Sequence, residues 1–375
     1  MAALPEPLVG PRFSTYSPEE VSWLLTDLSS AELEMPVAQR DEHIRAGMHY
    51  AESLPVEYRP SADYLALFQV LLGQSARRVA YLVGVITETV LATRGVDVVL
   101  VSLARAGTPV GILMRRWGQQ IHHLSAPHYT MSVVRGRGAD LVALRYLARH
   151  HDPARVIFVD GWTGKGTITR ELGHTLAHAA TEGLHFPAQL AVLADPGCCA
   201  HIYGTRRDAL IPSACLNSTI SGLVSRTVLH STLVGPDDFH GAKFYPHLVR
   251  ADLSNHYLDA ISARFGEVAA AAARRARGLA VLPRPPTHTG WAAARRIGDI
   301  HGVEDMNLVK PGVGETTRAL LRRVPWKVLI DHTSPPLPHI RLLASQRRAH
   351  LLDLVGVGDL PFSCVALIHP RGGTR

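Results

Sequence analysis

The chain has 375 residues, 46% of them hydrophobic, and carries a formal net charge of +7. That composition is enough for one large globular domain or two ordinary ones. No apolar run reaches 18 residues without a charge, and the start lacks the basic-then-apolar order of a signal peptide. We therefore expect a cytoplasmic protein with no membrane partner.

The positive charge is concentrated towards the C-terminus. Residues 267–375 contain 16 Lys and Arg against 8 Asp and Glu, a net charge of +8, whereas residues 1–266 carry −1. An excess of this kind is typical of a segment that contacts a polyanion, and the alternative interpretation is a solvated basic surface.

The first part of the chain predicts an α/β domain over residues 1–266, with a helical N-terminal part at about 12–93. A capping box of Ser17, Pro18 and Glu20 predicts one helix, and residues 61–93 carry a longer helical pattern. Short Val/Leu/Ile-rich runs then alternate with helical segments, which favours a parallel sheet with flanking helices. The predicted strands are 96–103, 128–134, 154–160 and 188–195.

An Ala/Arg-rich stretch that ends in prolines, residues 267–292, is the predicted linker. Beyond it, residues 293–375 repeat the alternation on a smaller scale, with the order helix, strand, helix, strand, strand. This order predicts a small α/β/α C-terminal domain.

Three loops that follow or interrupt the predicted strands combine glycine with hydroxyl and cationic residues. Because the carboxyl ends of parallel strands share one edge of a sheet, these loops are expected to meet around an anionic ligand, with backbone N–H groups on its phosphates. The candidates are Ser102, Arg105, Gly107 and Thr108 in the first loop, Arg135 and Arg137 in the second, and Asp160, Thr163, Gly164, Lys165, Gly166 and Thr167 in the third. Asp160 is also suited to ribose hydroxyls or Mg²⁺.

The stretches SLARAGTPVG and VIFVDGWTGKGT resemble the pyrophosphate and phosphoribosyl-diphosphate loops of type I phosphoribosyltransferases. The resemblance implies a type I phosphoribosyltransferase-like sheet, with Arg105, Ala106 and Gly107 near the diphosphate, Asp160 near ribose and metal, and Thr163 to Thr167 around the 5-phosphate. It also implies that VVRGRGAD, with Arg135 and Arg137, is the catalytic loop.

That loop usually has two adjacent acids, whereas here Gly161 follows Asp160. Asp195, at the end of the next predicted strand, is the candidate for the second acid. The implied cofactor is Mg²⁺, with Asp160 and Asp195 as metal residues.

Several segments of residues 12–266 together look like the bacterial StiP family of tellurite-resistance and stress operons; among them are RFSTYSPEEVSWLLTDLS, AVLADPGCC and LIPSACLNSTISGLVSRTV. The family is labelled a cysteine protease, although its loops are phosphoribosyltransferase-like. The label implies a nucleophilic thiol, for which Cys215 and Cys198 are the candidates.

In the C-terminal part, GVGETTR at residues 312–318 is similar to the Gly-x-Asn-Glu-x-x-Lys loop of the kink-turn-binding and Pelota RNA-binding families. The similarity implies that Gly312, Gly314, Glu315 and Arg318 face RNA. Here Gly314 stands in the place of the asparagine and Arg318 in that of the lysine.

The main prediction is a phosphoribosyltransferase that binds phosphoribosyl diphosphate or a similar sugar phosphate with Mg²⁺. It would transfer phosphoribose to a base or related acceptor in a pathway linked to stress or tellurite resistance. The alternatives are a cysteine protease that uses Cys215 or Cys198, and a non-catalytic regulator that senses a nucleotide and binds RNA. We also expect a homo-oligomer.

Overall fold

The computed structural model describes residues 4–281, 285–354 and 360–369. The first elements, up to the middle of the chain, are β1 (Ser22–Leu24), β2 (Thr26–Asp27), β3 (Glu34–Met35), α1 (Val37–Arg45), β4 (Leu54–Pro55), α2 (Ala62–Arg94), β5 (Val99–Leu103), α3 (Thr108–His122), β6 (His128–Met131), β7 (Val133–Val134), β8 (Gly138–Ala139) and α4 (Leu141–His150). Next come β9 (Val156–Trp162), α5 (Thr167–Thr181), β10 (Leu190–Ala194), β11 (Ile202–Thr205), β12 (Gly241–Ala242), α6 (Ser254–Ser262) and α7 (Phe265–Val281).

The C-terminal part contains α8 (Thr289–Ile300), β13 (Val309–Pro311), α9 (Gly312–Arg322), β14 (Lys327–Ile330), α10 (Pro338–Gln346), β15 (His350–Asp353) and β16 (Cys364–Leu367). The predicted linker is only partly covered, because residues 282–284 lie outside the described residues and residues 267–281 form the greater part of α7. The predicted domain boundaries therefore stay a prediction.

A six-stranded parallel sheet organises the first part of the chain. Its strand order is β1-β6-β5-β9-β10-β11, and every neighbouring pair runs parallel. Successive residues of a central strand point to opposite faces, so Leu100 packs in one buried cluster, whereas Val99 and Val101 pack in another. The first cluster joins α2, α3, α6 and α7, and the second joins α4 and α5. The predicted parallel sheet with flanking helices is confirmed.

The helix predicted from Ser17 is wrong, because this segment forms β1 instead. Trp23 exchanges backbone hydrogen bonds with Leu8, and β1 pairs with β6. The Glu20 side chain, which the capping box would use, forms an ion pair with Arg116 at 2.5 Å. Pairing at a sheet edge has thus overridden the local helix signal. The second predicted helix is confirmed as α2.

The C-terminal part has its own four-stranded mixed sheet, in the order β13-β16-β14-β15. Helix α8 packs on one face of this sheet, and α9 and α10 pack on the other. Val313 and Leu320 of α9 share a buried cluster with Cys215 and Leu216, so the core continues from one part of the chain into the other. Among the described helices, none has the length and apolar character that crossing a membrane requires.

Candidate functional site

The ends of β5 and β9 and the segment after β6 meet at one mouth, and the C-terminal part closes over it. Between them lies a cavity of about 750 Å³. Of the residues predicted to bind an anion or act in catalysis, this cavity is lined by Arg105, Ala106, Arg135, Arg137, Asp160, Thr163, Gly164, Lys165, Gly166 and Thr167. The three predicted loops therefore converge on a single hollow.

Other residues of the first loop hold its shape and do not line the cavity. The Ser102 hydroxyl donates to the carbonyl of Gly107 at 3.0 Å and lies 2.8 Å from His128 Nε2. The Thr108 hydroxyl accepts from Thr130 at 3.1 Å. These buried groups are satisfied within the protein, so they tie the turn to the sheet.

Arg105 is the cation that this loop presents to the cavity. Its guanidinium donates to the carbonyl of Val224 at 2.8 Å and to Asn217 Oδ1 at 3.2 Å, and it lies 3.4 Å from Glu57. Its Nε has no hydrogen-bond partner among the described residues, although the side chain is buried. The arginine is thus held in place with part of its donor capacity unused.

The loop after β9 is largely occupied by the C-terminal part. The Lys165 ammonium donates to the carbonyls of Met306 and Val309, each at 2.5 Å, and lies 4.0 Å from Glu315. The amine predicted to bind phosphate therefore joins the two parts of the chain. Its burial lowers the pKa of Lys165, and the Glu315 carboxylate opposes that shift.

Glycines let three backbone segments cross beside this loop. A Cβ on Gly197 would lie 1.6 Å from the carbonyl oxygen of Gly164, and a Cβ on Gly290 would lie 2.4 Å from the same atom. The Gly290 N–H donates to the carbonyl of Gly197 at 3.0 Å. The glycines of this region therefore serve the contact between α8 and the strand-end loops.

Asp195 does not fit a magnesium site. Its Oδ1 accepts from the Thr163 hydroxyl and from Cys199 N–H at 2.8 Å, and its Oδ2 accepts from Ala200 N–H at 2.9 Å and pairs with Arg206. Protein donors thus use both oxygens. Among the described residues, no three or more His, Cys, Asp or Glu side chains are grouped to hold a metal ion. The Mg²⁺ cofactor stays a prediction.

Asp160 lines the cavity and accepts from Gly161 N–H at 2.7 Å. Burial raises the pKa of its carboxyl from 3.8 to about 7, against the smaller effect of that hydrogen bond and of Arg318. A raised acid pKa means that the folded protein binds this proton more tightly than the unfolded chain. The stability it contributes is complete below about pH 4 and is lost as the pH rises through 7.

Asp160→Asn is therefore expected to be more stable than the wild type at pH 8, by about 1–2 kcal/mol, because Asn cannot ionise; this allows for a side chain that is only half-buried. At pH 4 the two proteins should be nearly equal. Urea unfolding at several pH values measures the difference, with Asp237→Asn, at an exposed site, as the control. A gap that does not widen with pH would contradict the assignment.

The segment after β6 reaches the cavity from the side. Arg135 lies over the Tyr50 ring at 5.0 Å, and Arg226 lies over the same ring at 5.0 Å. The Gly136 N–H donates to Glu171 at 2.8 Å. Arg137 is exposed and lines the cavity rim. Arg135 and Arg226, both packed on the Tyr50 ring, therefore place positive charge at this side of the cavity.

The residues predicted to face RNA instead meet the first part of the chain. Gly314 lies against the Trp162 indole, where a Cβ would be 2.3 Å from the ring. Glu315 lies beside Lys165, and Arg318 donates to the carbonyl of Ser213 at 3.3 Å. Gly312 has φ +82° and precedes Val313, whose N–H donates to Asp208 at 3.0 Å. In this structure they form a docking face.

Cations that were not predicted to line this cavity complete its lining. Arg40 of α1 lies in a segment with no glycine-rich signature, and Lys310 of β13 comes two residues before the GVGETTR stretch. Burial lowers the pKa of Lys310 to about 7, and repulsion from Lys165 adds to the shift. Arg226, Arg322 and Arg323 also line the cavity. Only the tertiary fold brings these positive charges together.

The four thiols differ sharply in exposure. Cys199, Cys215 and Cys364 are buried, whereas Cys198 is partly exposed. Burial raises the pKa of Cys199 and of Cys215 to about 12, and that of Cys364 well above its ordinary value. A buried thiol with a raised pKa is a poor nucleophile.

Cys198 lies on a tight turn, four residues after β10. Its φ is +52°, a left-handed value that is uncommon for a residue with a Cβ. Its carbonyl accepts the N–H groups of Thr287 at 3.0 Å and of His288 at 2.9 Å. His201, three residues further along, is close enough to His288 for repulsion between them to add to the burial that lowers its pKa. His288 thus contacts the Cys198 turn through its backbone, and His201 lies near His288.

Two family models match the two parts of the chain. A model described as "Tellurite-like stress resistance cysteine protease StiP" matches residues 14–262. The chain belongs to the StiP family. A second model, "PELOTA RNA binding domain", matches residues 288–370. The family resemblance and the Pelota-type C-terminal part are confirmed.

A full-length relative agrees with the StiP assignment. The protein named "Cysteine protease StiP" from Acinetobacter baylyi (strain ATCC 33305 / BD413 / ADP1) is 29% identical over 382 residues, covering 96% of this chain and 94% of the relative. The similarity extends through both parts of the chain.

The predicted phosphoribosyl transfer is wrong. The matched StiP model and the relative both bear the name of a cysteine protease, which agrees with the alternative interpretation. The structure supplies a physical reason for the error: Lys165, Ser102 and Thr108 direct their polar atoms at other parts of the protein. The homo-oligomer stays a prediction.

Proposed function

We propose that this chain is a cysteine protease whose nucleophile is Cys198. The proposal takes its reaction class from the names of the StiP family model and of the Acinetobacter baylyi relative. The observation that carries the choice of residue is exposure, since Cys198 is the one thiol of the four that is not buried. Attack on a peptide carbonyl requires a thiolate that the substrate can reach.

The turn that holds Cys198 supports this role. A nucleophile on a sharp, left-handed turn after a strand projects towards substrate, as in other enzymes with a strained nucleophile turn. The Cys198 N–H donates to the carbonyl of Asp195 at 3.1 Å, and the Asp195 carboxylate binds the next two backbone N–H groups. The turn is therefore rigid, which favours a fixed position for the sulfur.

His201 and His288 are the candidate general bases. The lowered pKa of His201 leaves its imidazole neutral at pH 7 and able to accept the thiol proton. Among the described residues, no hydrogen bond joins Cys198 Sγ to an imidazole. Such bonds are often formed only in the complex with substrate. Cys215 is a weaker choice, because its thiol is fully buried.

Thiol alkylation tests the proposal. Iodoacetamide should abolish hydrolysis of fluorescently labelled casein at the rate at which Cys198 is carboxyamidomethylated, as mapped by mass spectrometry. Cys199, Cys215 and Cys364 should react only after denaturation. Full activity after complete alkylation of Cys198, or no hydrolysis of casein or a peptide library by the untreated protein, would reject it.

We further propose that the six-stranded sheet has a type I phosphoribosyltransferase-like fold, separate from that family's activity. The parallel strand order and the convergence of three strand-end loops on one cavity support it. An experimental structure superposed on members of that fold class would test the topology. A different strand order would reject it.

We also propose that the chain binds RNA through the exposed surface of its C-terminal part. The Pelota match supports RNA as the partner class, and exposed Arg295 and Arg296 of α8 form no ion pair with a described residue. The Gly312–Arg318 face is covered by the docking contact described above, so it is not part of this surface.

Arg295→Glu with Arg296→Glu should weaken the binding of a fluorescent RNA hairpin about tenfold or more at moderate salt, because phosphate contacts dominate such affinity. Arg149→Glu, at an exposed site on α4, should have little effect. Fluorescence anisotropy across a salt series measures both. Binding that is equal in all three proteins, or absent at low salt, would contradict the proposal.

A further inference from the structure

The cavity between the strand-end loops and the C-terminal part is strongly cationic. Ten arginine and lysine side chains line it, against the carboxylates of Asp160, Asp305 and Glu315. Three of the cations have acidic partners within 4.0 Å: Arg105 with Glu57, Lys165 with Glu315, and Arg323 with Asp41. The other seven form no ion pair with a described residue.

Several of these seven cations lack partners of any polar kind. The side chains of Arg226 and Lys310 make neither a hydrogen bond nor an ion pair with a described residue, and that of Arg226 only packs on Tyr50. Arg40, also among the seven, is 4% exposed; it donates to the Tyr50 carbonyl, but its Nε has no hydrogen-bond partner among the described residues. A buried cation without a counter-charge is unfavourable, so this arrangement is costly unless an anion is bound.

The cations also act on one another. Burial lowers the pKa of Arg226 to about 9, and repulsion from Arg40, Arg105 and Arg135 adds to the shift. Structural ion-pair networks alternate positive and negative charges, whereas this cluster concentrates one sign. Such concentration is typical of a site that is complete only with its ligand.

The number and type of the cations indicate which chemical class of ligand fits the cavity. A single phosphate or carboxylate can engage only two or three guanidinium groups in its first shell. Guanidinium forks match phosphate oxygens in pairs, and arginine predominates over lysine in this lining. The volume of about 750 Å³ is within the range of sites for small organic ligands. Several linked phosphates would satisfy these charges within that space.

We propose that this cavity binds a ligand that carries a chain of linked phosphates, either an inorganic oligophosphate or a nucleoside polyphosphate. The ligand would touch the loops of the first part and β13 and α9 of the second at once, so it would hold the two parts together. The proposal concerns binding and no group transfer. It is independent of the protease proposal, since Cys198 does not line the cavity.

Thermal unfolding and titration calorimetry of the full chain test it. Tripolyphosphate at about 1 mM should raise the Tm by several degrees. Inorganic phosphate and tricarballylate, at matched ionic strength, should raise it by less than about one degree. ATP and AMP form the second arm: equal effects of ATP and tripolyphosphate assign recognition to the phosphates alone, and a larger effect of ATP adds the nucleoside.

A matched pair of variants separates a ligand site from a structural role. Arg226→Gln should be at least as stable as the wild type without ligand, because repulsion is relieved, and should bind tripolyphosphate about tenfold more weakly. Arg149→Gln, outside the cavity, should match the wild type in both. The proposal is overturned if tripolyphosphate does not bind, if Arg226→Gln binds it as well as the wild type does, or if the carboxylate or RNA binds this cavity in preference.

Discussion

Replacing Cys198 by serine is expected to lower the rate of casein hydrolysis at least about 100-fold, because the serine hydroxyl is a much weaker nucleophile than a thiolate without a dedicated activating site. The change is nearly isosteric, and the side chain is only partly exposed on a turn held by Asp195, so the fold should be unaffected. Measured rates with matched thermal stability separate loss of chemistry from loss of structure.

Cys215→Ser is the control for that experiment. Its thiol lies in the core, beside the hydroxyl of Tyr64, which donates to the Cys215 carbonyl at 2.9 Å. We expect less than about a twofold change in rate and a stability loss of about 1–2 kcal/mol from placing a polar hydroxyl in an apolar position. The reverse result, with activity lost only in Cys215→Ser, would move the nucleophile to the interior.

The protease proposal also predicts how kcat/KM depends on pH, through His201 and His288. If His201 is the base, the acidic limb of kcat/KM should lie below pH 6.5, since burial and His288 lower the pKa of His201. His288→Gln should move that limb to higher pH, because the repulsion is removed. His201→Gln should lower kcat/KM about 100-fold or more. Full activity in both variants would place the base elsewhere.

The four inner strands of the central sheet could be predicted from the sequence, whereas the two edge strands, β1 and β11, were not predicted. β5, β9 and β10 are short apolar runs between helical segments, and this pattern depends only on local periodicity. β1 carries a local helix signal that is cancelled by Leu8 and by β6, both of which contact it through the backbone. A signal within one segment cannot register a partner about 100 residues away.

The positions of the strand-end loops could be predicted from the sequence, but the groups that some of their residues contact could not. A glycine that admits phosphate and a glycine that admits another part of the protein look alike in sequence. A Cβ on Gly164 would lie 2.6 Å from a Glu315 carboxylate oxygen and 3.0 Å from the Pro311 carbonyl oxygen, so Gly164 is of the second kind. Lys165 likewise resembles a phosphate ligand until the carbonyls of Met306 and Val309 are seen around its ammonium. The cationic character of the cavity also depends on Arg40 and Lys310, which lie in segments distant from the strand-end loops.

Close packing between α9 and Trp162 predicts a large loss of stability when Gly314 is replaced by alanine. In an exposed helix, alanine in place of glycine stabilises by up to about 1 kcal/mol. On α9, however, the new methyl group would lie 2.3 Å from the Trp162 indole, and the ring is further restrained by Arg318 at 5.4 Å from its centre. Overpacking of this kind costs about 1–3 kcal/mol. We expect Gly314→Ala to be less stable than the wild type by about 2 kcal/mol, through separation of α9 from the sheet.

Gly173→Ala provides the matched comparison, because Gly173 is also helical, on α5, and a Cβ added there would have no described atom within 4 Å. It should gain stability where Gly314→Ala loses it. Urea unfolding followed by tryptophan fluorescence measures both, and Trp162 itself reports separation at the contact. If Gly314→Ala were as stable as Gly173→Ala, α9 would not pack against Trp162. Lys310 and Arg318 would then not line the cavity as described. The asparagine of the RNA-binding loops, larger than alanine, should disturb this contact still more. Docking of α9 therefore accounts for glycine at this position.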